Sequence, residues 1–331
     1  MREILNRLFE YKSLDRATAK EILGNLAQGR YNASEMAAFL TVFLMRSITV
    51  EELAGFREAM LELCRRVDLG GIAVIDLCGT GGDGKDTFNI STVASFVVAG
   101  AGQPVAKHGN NGVSSVCGSS NLLASFGVQF SDDAGQLLRS LEGSGFCYMH
   151  APLFHPAMKN VAPVRRELGV KTFFNMLGPL VNPAFPDMQF TGVYSLELAR
   201  LYNYLFQQAA GNYTVVHSLD GYDEISLTGP FKMIGRTGER LLQPHDLGLP
   251  TLDPGSLAGG SSVESSAAIA LAILEGRGTP AQEEVVVANA GMALYGAGHG
   301  SDPTASVERA RESIRSGRAL NSFRKFIKLN S

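Results

Sequence analysis

The sequence predicts an α/β protein with a small all-helical N-terminal domain and a larger α/β domain that has a mostly parallel central sheet. In residues 1–68, apolar residues such as Leu5, Leu8 and Phe9 recur at helical spacing, and no strand pattern interrupts them. From residue 71 onward, short apolar runs that end in glycine, beginning with GIAVIDLCG, alternate with helical patterns. Strands that alternate with helices are typical of a parallel sheet covered by helices.

The helical pattern returns in the middle of the chain and determines the expected domain boundaries. HPAMKNVAPVRRELG at 155–169 and TFFNMLG at 172–178 again have helical patterns. We therefore expect a helical domain at 1–70 that is rejoined by a segment at about 160–185. The α/β domain would then comprise 71–159 and 186–331.

Local signals predict where individual elements begin and end. Ser34 is a candidate N-cap for the helix that follows it, and Thr49 with Glu52 forms a T-x-x-E capping box. The tail at 306–327 has the pattern of one amphipathic helix. The glycine and serine run at 254–262 predicts a surface loop.

Composition and charge indicate a cytoplasmic globular protein. Of the 331 residues, 45% are apolar and 18% charged, which allows a large core. The net charge of -3 provides no general attraction to nucleic acid or to an anionic membrane, so we expect neither as a partner. The first residues show no signal-peptide pattern, and the apolar stretch at 36–45 is too short to span a bilayer. The cysteines lack CxxC spacing and are predicted to be reduced thiols; they are Cys64, Cys78, Cys117 and Cys147.

A glycine-rich loop, DLCGTGGDGKDTFNIS at 76–91, matches parts of two phosphate-binding motifs. Gly79, Gly81 and Gly84 fit the dinucleotide fingerprint GxGxxG, but no acidic residue occurs between 87 and 131 to bind a ribose hydroxyl. The loop also fits most of a Walker A motif, but Asp86 stands where a serine or threonine should bind magnesium. Both assignments are therefore disfavoured.

A third assignment for this loop, a site for another phosphate ligand, uses a second loop. KHGNNGVSS at 107–115 follows the next strand and leads to another helix start. In a parallel sheet both loops lie at the carboxyl ends of the strands, where such folds bind ligands. Asn89, Ser91 and Thr92 lie at a helix start whose N–H groups favour an anion. Two such loops in an acid-free region suggest a polyanion site, although glycine turns with helix caps are an alternative.

Charged residues elsewhere suggest further parts of a site. Asp223 and Glu224 follow the strand YTVVHS and could hold one or two magnesium ions, or could form a solvated turn. Arg165 and Arg166 lie late in a helix predicted at 156–168, where they could complement the helix dipole or bind a carboxylate. His108 is interpreted as a loop donor or packed residue rather than a general base, and no role is predicted for His150 and His155.

Together these segments resemble the anthranilate phosphoribosyltransferases, a family of nucleoside phosphorylase-like glycosyltransferases. The resemblance extends over essentially the whole chain. The matching segments are GTGGDG with FNIST (79–92), KHGNNGVSS (107–115), HPAMKNVAPVRRELGVKTFFNMLGPLVNP (155–183) and DGYDEIS (220–226).

The resemblance implies a fold, an assembly and a reaction. The active site would lie in the cleft between the helical and α/β domains, and the chain would form a homodimer through the helical domain. The substrates would be anthranilate and phosphoribosyl pyrophosphate, with two magnesium ions as cofactor. The products would be phosphoribosyl-anthranilate and pyrophosphate, in tryptophan biosynthesis.

The resemblance also implies roles for individual residues. Gly79, Asn110 and Arg165 would contact anthranilate. Ser91 and Glu224 would hold one magnesium ion, and Asp223 and Glu224 the other. The residues expected to contact phosphoribosyl pyrophosphate are Gly79, Gly82, Asp83, Thr87, Asn89, Ile90, Ser91, Thr92, Lys107, His108, Gly109, Asn110, Asn111, Gly112, Val113, Ser114, Ser115 and Ser119.

This sequence departs from the family pattern in the second loop. Many relatives carry a basic residue where this chain has Asn111, and lysine then serine where it has Val116 and Cys117. The departures remove positive charge and a hydroxyl near the expected phosphate groups. We expect them to affect the strength of phosphate binding more than the chemistry of the reaction.

The implied reaction needs no covalent nucleophile and no strong general base, because the aryl amine can attack the anomeric carbon directly as pyrophosphate leaves. A pyrimidine nucleoside phosphorylase of the same fold is an alternative, although RRELG and the Asp–Glu pair fit it poorly. A non-enzymatic nucleic-acid-binding relative is a second alternative, disfavoured by the net charge. A structural homologue without activity is a third, disfavoured by the retained Asp223–Glu224 pair.

Overall fold

The computed structural model describes residues 1–112, 115–300 and 302–331. The chain forms two compact units. The first comprises Met1–Arg66 and Ala151–Pro183, and the second comprises Val67–His150 and Ala184–Ser331. The chain returns to the helical unit at Ala151, earlier than the expected residue of about 160. Strand Phe146–His150 continues directly into helix Ala151–Phe154, so no glycine turn marks this change in the sequence.

The helices and strands have the following bounds. The α-helices are α1 (Arg2–Phe9), α2 (Arg16–Ala27), α3 (Ala33–Met45), α4 (Val50–Leu63), α5 (Ile90–Gly100), α6 (Ser119–Ser125), α7 (Ala134–Ser144), α8 (Ala151–Phe154), α9 (Ala162–Leu168), α10 (Leu196–Gln207), α11 (Val263–Leu274), α12 (Pro280–Gly296), α13 (Pro303–Arg315) and α14 (Arg318–Asn330). The strands are β1 (Ile75–Gly79), β2 (Val105–Gly109), β3 (Phe146–His150), β4 (Met188–Gly192), β5 (Asn212–Ser218), β6 (Phe231–Gly235) and β7 (Gly238–Leu242). Short 3-10 helices occupy Pro156–Asn160, Phe173–Met176, Gly178–Leu180, Pro244–Leu247 and Pro254–Leu257.

The helical unit confirms one predicted cap and corrects another. Thr49 and Glu52 form the predicted capping box at the start of α4. The predicted Ser34 cap is wrong, because α3 is capped by Asn32, whose side chain accepts the N–H of Glu35 at 3.0 Å while the Glu35 side chain accepts the N–H of Asn32. Asparagine is as good a cap as serine, so the earlier of the two polar residues starts the helix here.

A cluster of phenylalanines joins the two chain segments of the helical unit. Phe56 on α4 and Phe173 in the return segment stack with ring centroids 4.4 Å apart, and Phe39 packs edge-on against both. Aromatic pairs of this kind add to the stabilisation from apolar burial. The helix predicted at 156–168 is wrong as one element, because a 3-10 helix at Pro156–Asn160 precedes α9, which has a proline in its first turn.

The larger unit confirms the predicted α/β fold with a mostly parallel sheet. Its seven strands have the order β3-β2-β1-β4-β5-β6-β7. Neighbours from β3 to β5 pair in parallel, while β6 and β7 are antiparallel. Helix α5 is buried along most of its length beside the sheet, and the central part of α12 is buried as well. The carboxyl ends of β1, β2 and β4 therefore lie side by side, and the loops that follow them meet at one edge.

Two predictions for the C-terminal half are wrong. The tail is two helices, α13 and α14, because Gly317 between them has a left-handed backbone with φ 72°. The run at 254–262 is only partly a surface loop, because Leu257 is fully buried and Ala258 pairs with Thr87 of the glycine-rich loop. Long-range pairing of this kind leaves no signal in local composition.

Among the described residues, none of the helices is long and apolar enough to cross a membrane.

Candidate functional site

The glycine-rich loop connects β1 to α5 in the larger unit. Gly81, Gly82 and Gly84 have positive φ angles of 65°, 80° and 73°, which glycine adopts without steric cost. Asn89 is the N-cap of α5, so Ile90, Ser91 and Thr92 form its first turn as predicted. The Asn89 side chain donates to the carbonyl of Cys117 at 2.8 Å and so ties the glycine-rich loop to the second loop.

The acidic pair lies at this same edge of the sheet. An Asp223 carboxylate oxygen accepts the N–H of Gly81 at 2.6 Å. A Glu224 carboxylate oxygen accepts the N–H of Ser91 at 2.9 Å. The fold thus brings together residues that are 142 and 133 positions apart in the chain. These contacts also occupy two N–H groups that the sequence analysis left free for an anion, so Ser91 would meet a ligand through its hydroxyl.

Glycines at the ends of two strands make room for the loop at 219–226, which carries Asp223 and Glu224 and which we call the acidic loop. A Cβ atom on Gly192, at the end of β4, would overlap the main-chain carbonyl of Asp223. A Cβ atom on Gly79, at the end of β1, would overlap the Asp223 carboxylate. These two glycines are paired in register across β1 and β4. Their role is therefore close approach of another segment rather than an unusual backbone angle.

Hydrogen bonds from Asn289 and Ser218, which were not predicted as site residues, stabilise the acidic loop. The side-chain oxygen of Asn289 on α12 accepts the N–H of Ile225 at 3.0 Å, and its amide donates to the carbonyl of Ile225 at 2.8 Å. The hydroxyl of Ser218 donates to the carbonyl of Glu224 at 2.7 Å. Asn289 is the single amide side chain within the apolar run VVVANAGMAL, and that isolation was the available signal.

Burial raises the pKa of both acids. The pKa of Asp223 rises to about 7, first because the carboxyl is buried and next because of the negative charge of Asp83. The pKa of Glu224 lies well above its ordinary value, first because of burial and next because of the charge of Asp223. Two adjacent carboxyls of this kind are costly to ionise unless a cation is bound between or beside them.

The donor set fits magnesium. Asp223, Glu224, Ser91, Gly79 and Asn289 are among the residues that line one small cavity at the strand ends. Carboxylate and hydroxyl oxygens suit Mg²⁺, which usually retains water and takes further oxygens from a phosphate ligand. Among the described residues, no group of three or more His, Cys, Asp or Glu side chains is placed to enclose a metal ion. The carboxylate pair and Ser91 would therefore supply only part of a coordination shell.

Lys107 and His108 belong to β2 and are both buried. The ammonium of Lys107 donates to the carbonyl of Leu77 and lies 3.4 Å from the Ser91 hydroxyl, which places a positive charge behind the acidic pair. The N–H of His108 donates to the buried carboxylate of Asp76 at 3.3 Å. This environment agrees with the interpretation of His108 as a packed residue.

The second loop, which between β2 and α6 comprises 110–118, follows β2 and leads into α6. The side-chain oxygen of Asn121 accepts the N–H groups of Gly112 and Gly118, at 2.8 and 3.1 Å, and closes the loop. The carbonyl of Asn110 accepts the N–H of Ser120 at 3.1 Å. Exposed residues in this region include Asn111, Ser115 and Val116. Two predicted contact residues, Val113 and Ser114, lie outside the described residues.

Three further predicted site residues, Thr87, Asp83 and Arg165, make contacts outside the second loop. Thr87 forms the bridge to Ala258, and Asp83 is near enough to Asp223 to raise its pKa. Arg165 belongs to the helical unit, where its guanidinium donates to the Asn175 side chain at 3.3 Å and lies 5.1 Å from the ring centre of Phe174. This contact leaves Arg165 partly buried.

Comparison with known proteins matches both units. A family model described as "Glycosyl transferase family, a/b domain" matches residues 71–320, and one described as "Glycosyl transferase family, helical bundle domain" matches residues 2–64. The chain is 57% identical over 330 residues to an anthranilate phosphoribosyltransferase of Christiangramia forsetii, covering 100% of this chain and 99% of that protein. It is 55% identical to one from Flavobacterium psychrophilum, with 100% of both chains covered.

Solved structures agree with these matches. The anthranilate phosphoribosyltransferase of Thermus thermophilus superimposes with a TM-score of 0.91 at 34% identity, covering 98% of each chain. The Saccharomyces cerevisiae enzyme in complex with PRPP and Mg superimposes with a TM-score of 0.89 at 26% identity, covering 98% of this chain and 96% of that chain.

Proposed function

The chain belongs to the family of anthranilate phosphoribosyltransferases, and we propose on that premise that it transfers the phosphoribosyl group of phosphoribosyl pyrophosphate to the amine of anthranilate. The products are N-(5-phosphoribosyl)anthranilate and pyrophosphate, in tryptophan biosynthesis. This proposal depends on one observation: over its full length the chain is more than 50% identical to relatives named anthranilate phosphoribosyltransferase. The same relatives give no support to the phosphorylase or nucleic-acid-binding alternatives.

The reaction is a direct displacement. The nitrogen of anthranilate forms a bond to the anomeric carbon of the ribose while the bond from that carbon to the pyrophosphate oxygen breaks. The electron pair of the broken bond leaves with pyrophosphate, and the new arylammonium group loses its proton. No protein nucleophile is needed.

The residues of this chain bind and orient the substrates. The Ser91 hydroxyl, with the Lys107 ammonium behind it, is one polar group available to a phosphate at the start of α5. The glycine-rich loop and second loop supply the remaining contacts to phosphoribosyl pyrophosphate, and Gly79, Asn110 and Arg165 those to anthranilate. Holding two reactants in one geometry can lower a barrier by roughly 7–11 kcal/mol.

Magnesium held by the acidic pair and Ser91 would supply positive charge to the leaving pyrophosphate and Lewis-acid chemistry. We assign one ion to Ser91 with Glu224 and a second to Asp223 with Glu224. The raised pKa of both carboxyls supports this assignment, because a divalent cation offsets the cost of ionising them together. The yeast relative was solved with PRPP and Mg.

We also propose a cytoplasmic homodimer. Large apolar side chains are exposed on two helices of the helical unit: Phe9 and Tyr11 on or just after α1, and Leu44 and Met45 at the end of α3. Helix α1 packs on α3, so these side chains occupy neighbouring elements. Exposed apolar patches often mark protein interfaces. Free cysteines agree with a reducing compartment.

The test is an assay in which anthranilate fluorescence disappears when phosphoribosyl pyrophosphate and magnesium are added. We expect the wild type to consume anthranilate. Glu224→Gln removes one carboxylate charge at nearly constant shape, and we expect it to lower kcat/KM by about 100-fold, or about 3 kcal/mol. It should also raise the magnesium concentration needed for half-maximal rate. Glu312→Gln, at an exposed position on α13, is the control and should retain wild-type activity. No loss of anthranilate with the wild type contradicts the proposal.

A further inference from the structure

Four polar side chains form a continuous hydrogen-bonded line beside the second loop. The Ser119 hydroxyl oxygen lies 2.8 Å from the Tyr148 phenol oxygen. The same phenol oxygen lies 2.7 Å from the Ser120 hydroxyl. The Ser120 hydroxyl lies 2.8 Å from Nδ1 of His150. Ser119 and Ser120 begin α6, while Tyr148 and His150 lie on β3. We call this line the Ser119–His150 relay.

The surroundings hold the relay in place. Ser120 is fully buried and Tyr148 is 3% exposed. A Cβ atom on Gly109 would overlap both the Ser119 hydroxyl and the Tyr148 phenol, so the glycine at the end of β2 is needed for this contact. The ring of His150 stacks on Phe130, with centroids 4.7 Å apart and planes 21° from parallel. The geometry therefore leaves little freedom other than the placement of protons.

Two directions of the relay leave no buried hydroxyl proton unpaired, because each hydroxyl has a single proton to donate and both Ser120 and Tyr148 are buried. If Nδ1 of neutral His150 is unprotonated, it accepts from Ser120, Ser120 accepts from Tyr148, and Tyr148 accepts from Ser119. The Ser119 proton then points inward. If Nδ1 carries the proton, every bond reverses and the Ser119 proton is free to point outward. Its acceptor in the protein is then the carbonyl of Asn110, at a long 3.4 Å.

Only the second direction suits an anion. A phosphate oxygen accepts hydrogen bonds and cannot donate them, so it needs the Ser119 proton to point outward. The second loop provides few charged donors to replace it, since Asn111, Val116 and Cys117 carry no positive charge. A hydroxyl that is oriented in advance therefore matters more to phosphate binding in this chain.

We propose that Tyr148, Ser120 and His150 are positioning residues that turn the Ser119 hydroxyl into a donor for a phosphate oxygen of phosphoribosyl pyrophosphate, and that ligand binding selects the Nδ1–H tautomer of His150. This inference rests on the proposed function. It assigns a role to residues of α6 and β3 that do not themselves contact the ligand.

Binding of two phosphate probes tests the relay. Magnesium pyrophosphate and ribose 5-phosphate are titrated separately by calorimetry into wild type, Tyr148→Phe and Ser120→Ala. Tyr148→Phe removes the central hydroxyl with little change of shape, and we expect it to weaken binding of one probe about fivefold. The probe that is affected identifies the end of the substrate held by Ser119. Ser120→Ala should weaken the same probe about two- to fivefold.

Tyr213→Phe is the matched control. Tyr213 is also buried in the larger unit, and its hydroxyl donates to Asn203 at 2.6 Å, away from the second loop. It should bind both probes as the wild type does. Equal effects of Tyr148→Phe and Tyr213→Phe, or no effect of Tyr148→Phe on either probe, overturn the relay.

The tautomer of His150 gives a readout that a merely structural role would not change. Burial lowers the pKa of His150, so at pH 8 the ring is neutral and ¹⁵N NMR distinguishes its two tautomers. We expect the affected probe to shift His150 to the Nδ1–H form in wild type but not in Ser120→Ala; the signal is assigned by its loss in His150→Phe. An unchanged tautomer in the wild type on saturation overturns the proposal.

These outcomes separate the relay from the enzymatic activity. If the wild type consumes anthranilate but Tyr148→Phe binds both probes normally, the relay is wrong and the function stands. If the wild type shows the tautomer change but consumes no anthranilate, the relay stands as part of a phosphate site and the function is wrong.

Discussion

At the scale of single residues, the most informative feature is a pair of carboxyls in a place that disfavours their charge. Asp223 and Glu224 accept main-chain N–H groups from the glycine-rich loop and α5. Burial nevertheless raises the pKa of both, helped by the charge of Asp83 in the case of Asp223 and by the charge of Asp223 in the case of Glu224. The site is therefore arranged for a bound cation at the cost of stability without one. Sites of this kind commonly trade stability for function.

This arrangement predicts that Asp223→Asn stabilises the metal-free protein. The pKa of Asp223 is raised from 3.8 to about 7, so its contribution to stability is full below about pH 4 and is lost as the pH rises through 7. Urea unfolding without divalent ions should show the variant to be more stable than wild type at pH 8, by at least about 1 kcal/mol. The difference should be smaller at pH 5.

Two further measurements complete this test. Glu312→Gln, at an exposed site, should show no such pH-dependent difference. Addition of magnesium should stabilise wild type more than Asp223→Asn, because only wild type retains both carboxylates. A variant that is less stable than wild type at both pH values would show that ionised Asp223 is already compensated without metal.

At the scale of elements, the site depends on how closely a loop can approach the ends of strands. Gly79 and Gly192 end β1 and β4, and a side chain on either would overlap Asp223. Glycine signals in the sequence predicted the anion-binding loop at Gly79, but nothing local marked Gly192, whose partner segment is distant in the chain. Asn289 had a local signal, its isolation in an apolar run, but that signal does not identify Ile225, its distant partner.

Gly192→Ala is expected to displace the acidic loop. The added methyl group cannot fit against the Asp223 carbonyl, and overpacking of this kind costs about 1–3 kcal/mol. Thermal unfolding should show a lower Tm, and the anthranilate assay should show a higher magnesium requirement. Gly229→Ala is the matched control, because nothing lies within 4 Å of its added Cβ atom. Equal behaviour of the two variants would mean that the loop moves at no cost.

At the scale of the whole molecule, each unit is built from two chain segments. The helical unit takes its second segment from Ala151–Pro183, and Phe173 in that segment stacks on Phe56 of α4. The larger unit is likewise interrupted and then completed from Ala184. Neither unit is therefore a continuous stretch of sequence, and truncation at residue 150 would remove part of both.

The proposed homodimer is tested by placing a charge among the exposed apolar side chains of α1 and α3 in the helical unit. Met45 is 75% exposed at the end of α3, and Met45→Glu should convert a dimer into a monomer in analytical ultracentrifugation, because a desolvated, unpaired charge is costly at an interface. Leu241→Glu, on β7 of the larger unit and 62% exposed, is the control and should leave the mass unchanged. A monomeric wild type at micromolar concentration would contradict the proposal.

The sequence by itself determined the fold class, the capping box of α4 and the placement of the glycine-rich loop at a helix start, because these depend on periodicity and on contacts between residues a few positions apart. Only the tertiary structure decided that Asp223 meets Gly81, that Asn289 supports the acidic loop and that Tyr148 and Ser120 join Ser119 to His150. It also corrected the cap of α3 and divided the tail at Gly317. The contacts that were missed join residues brought together by strand order and helix packing, and a linear pattern carries no information on distances across a sheet.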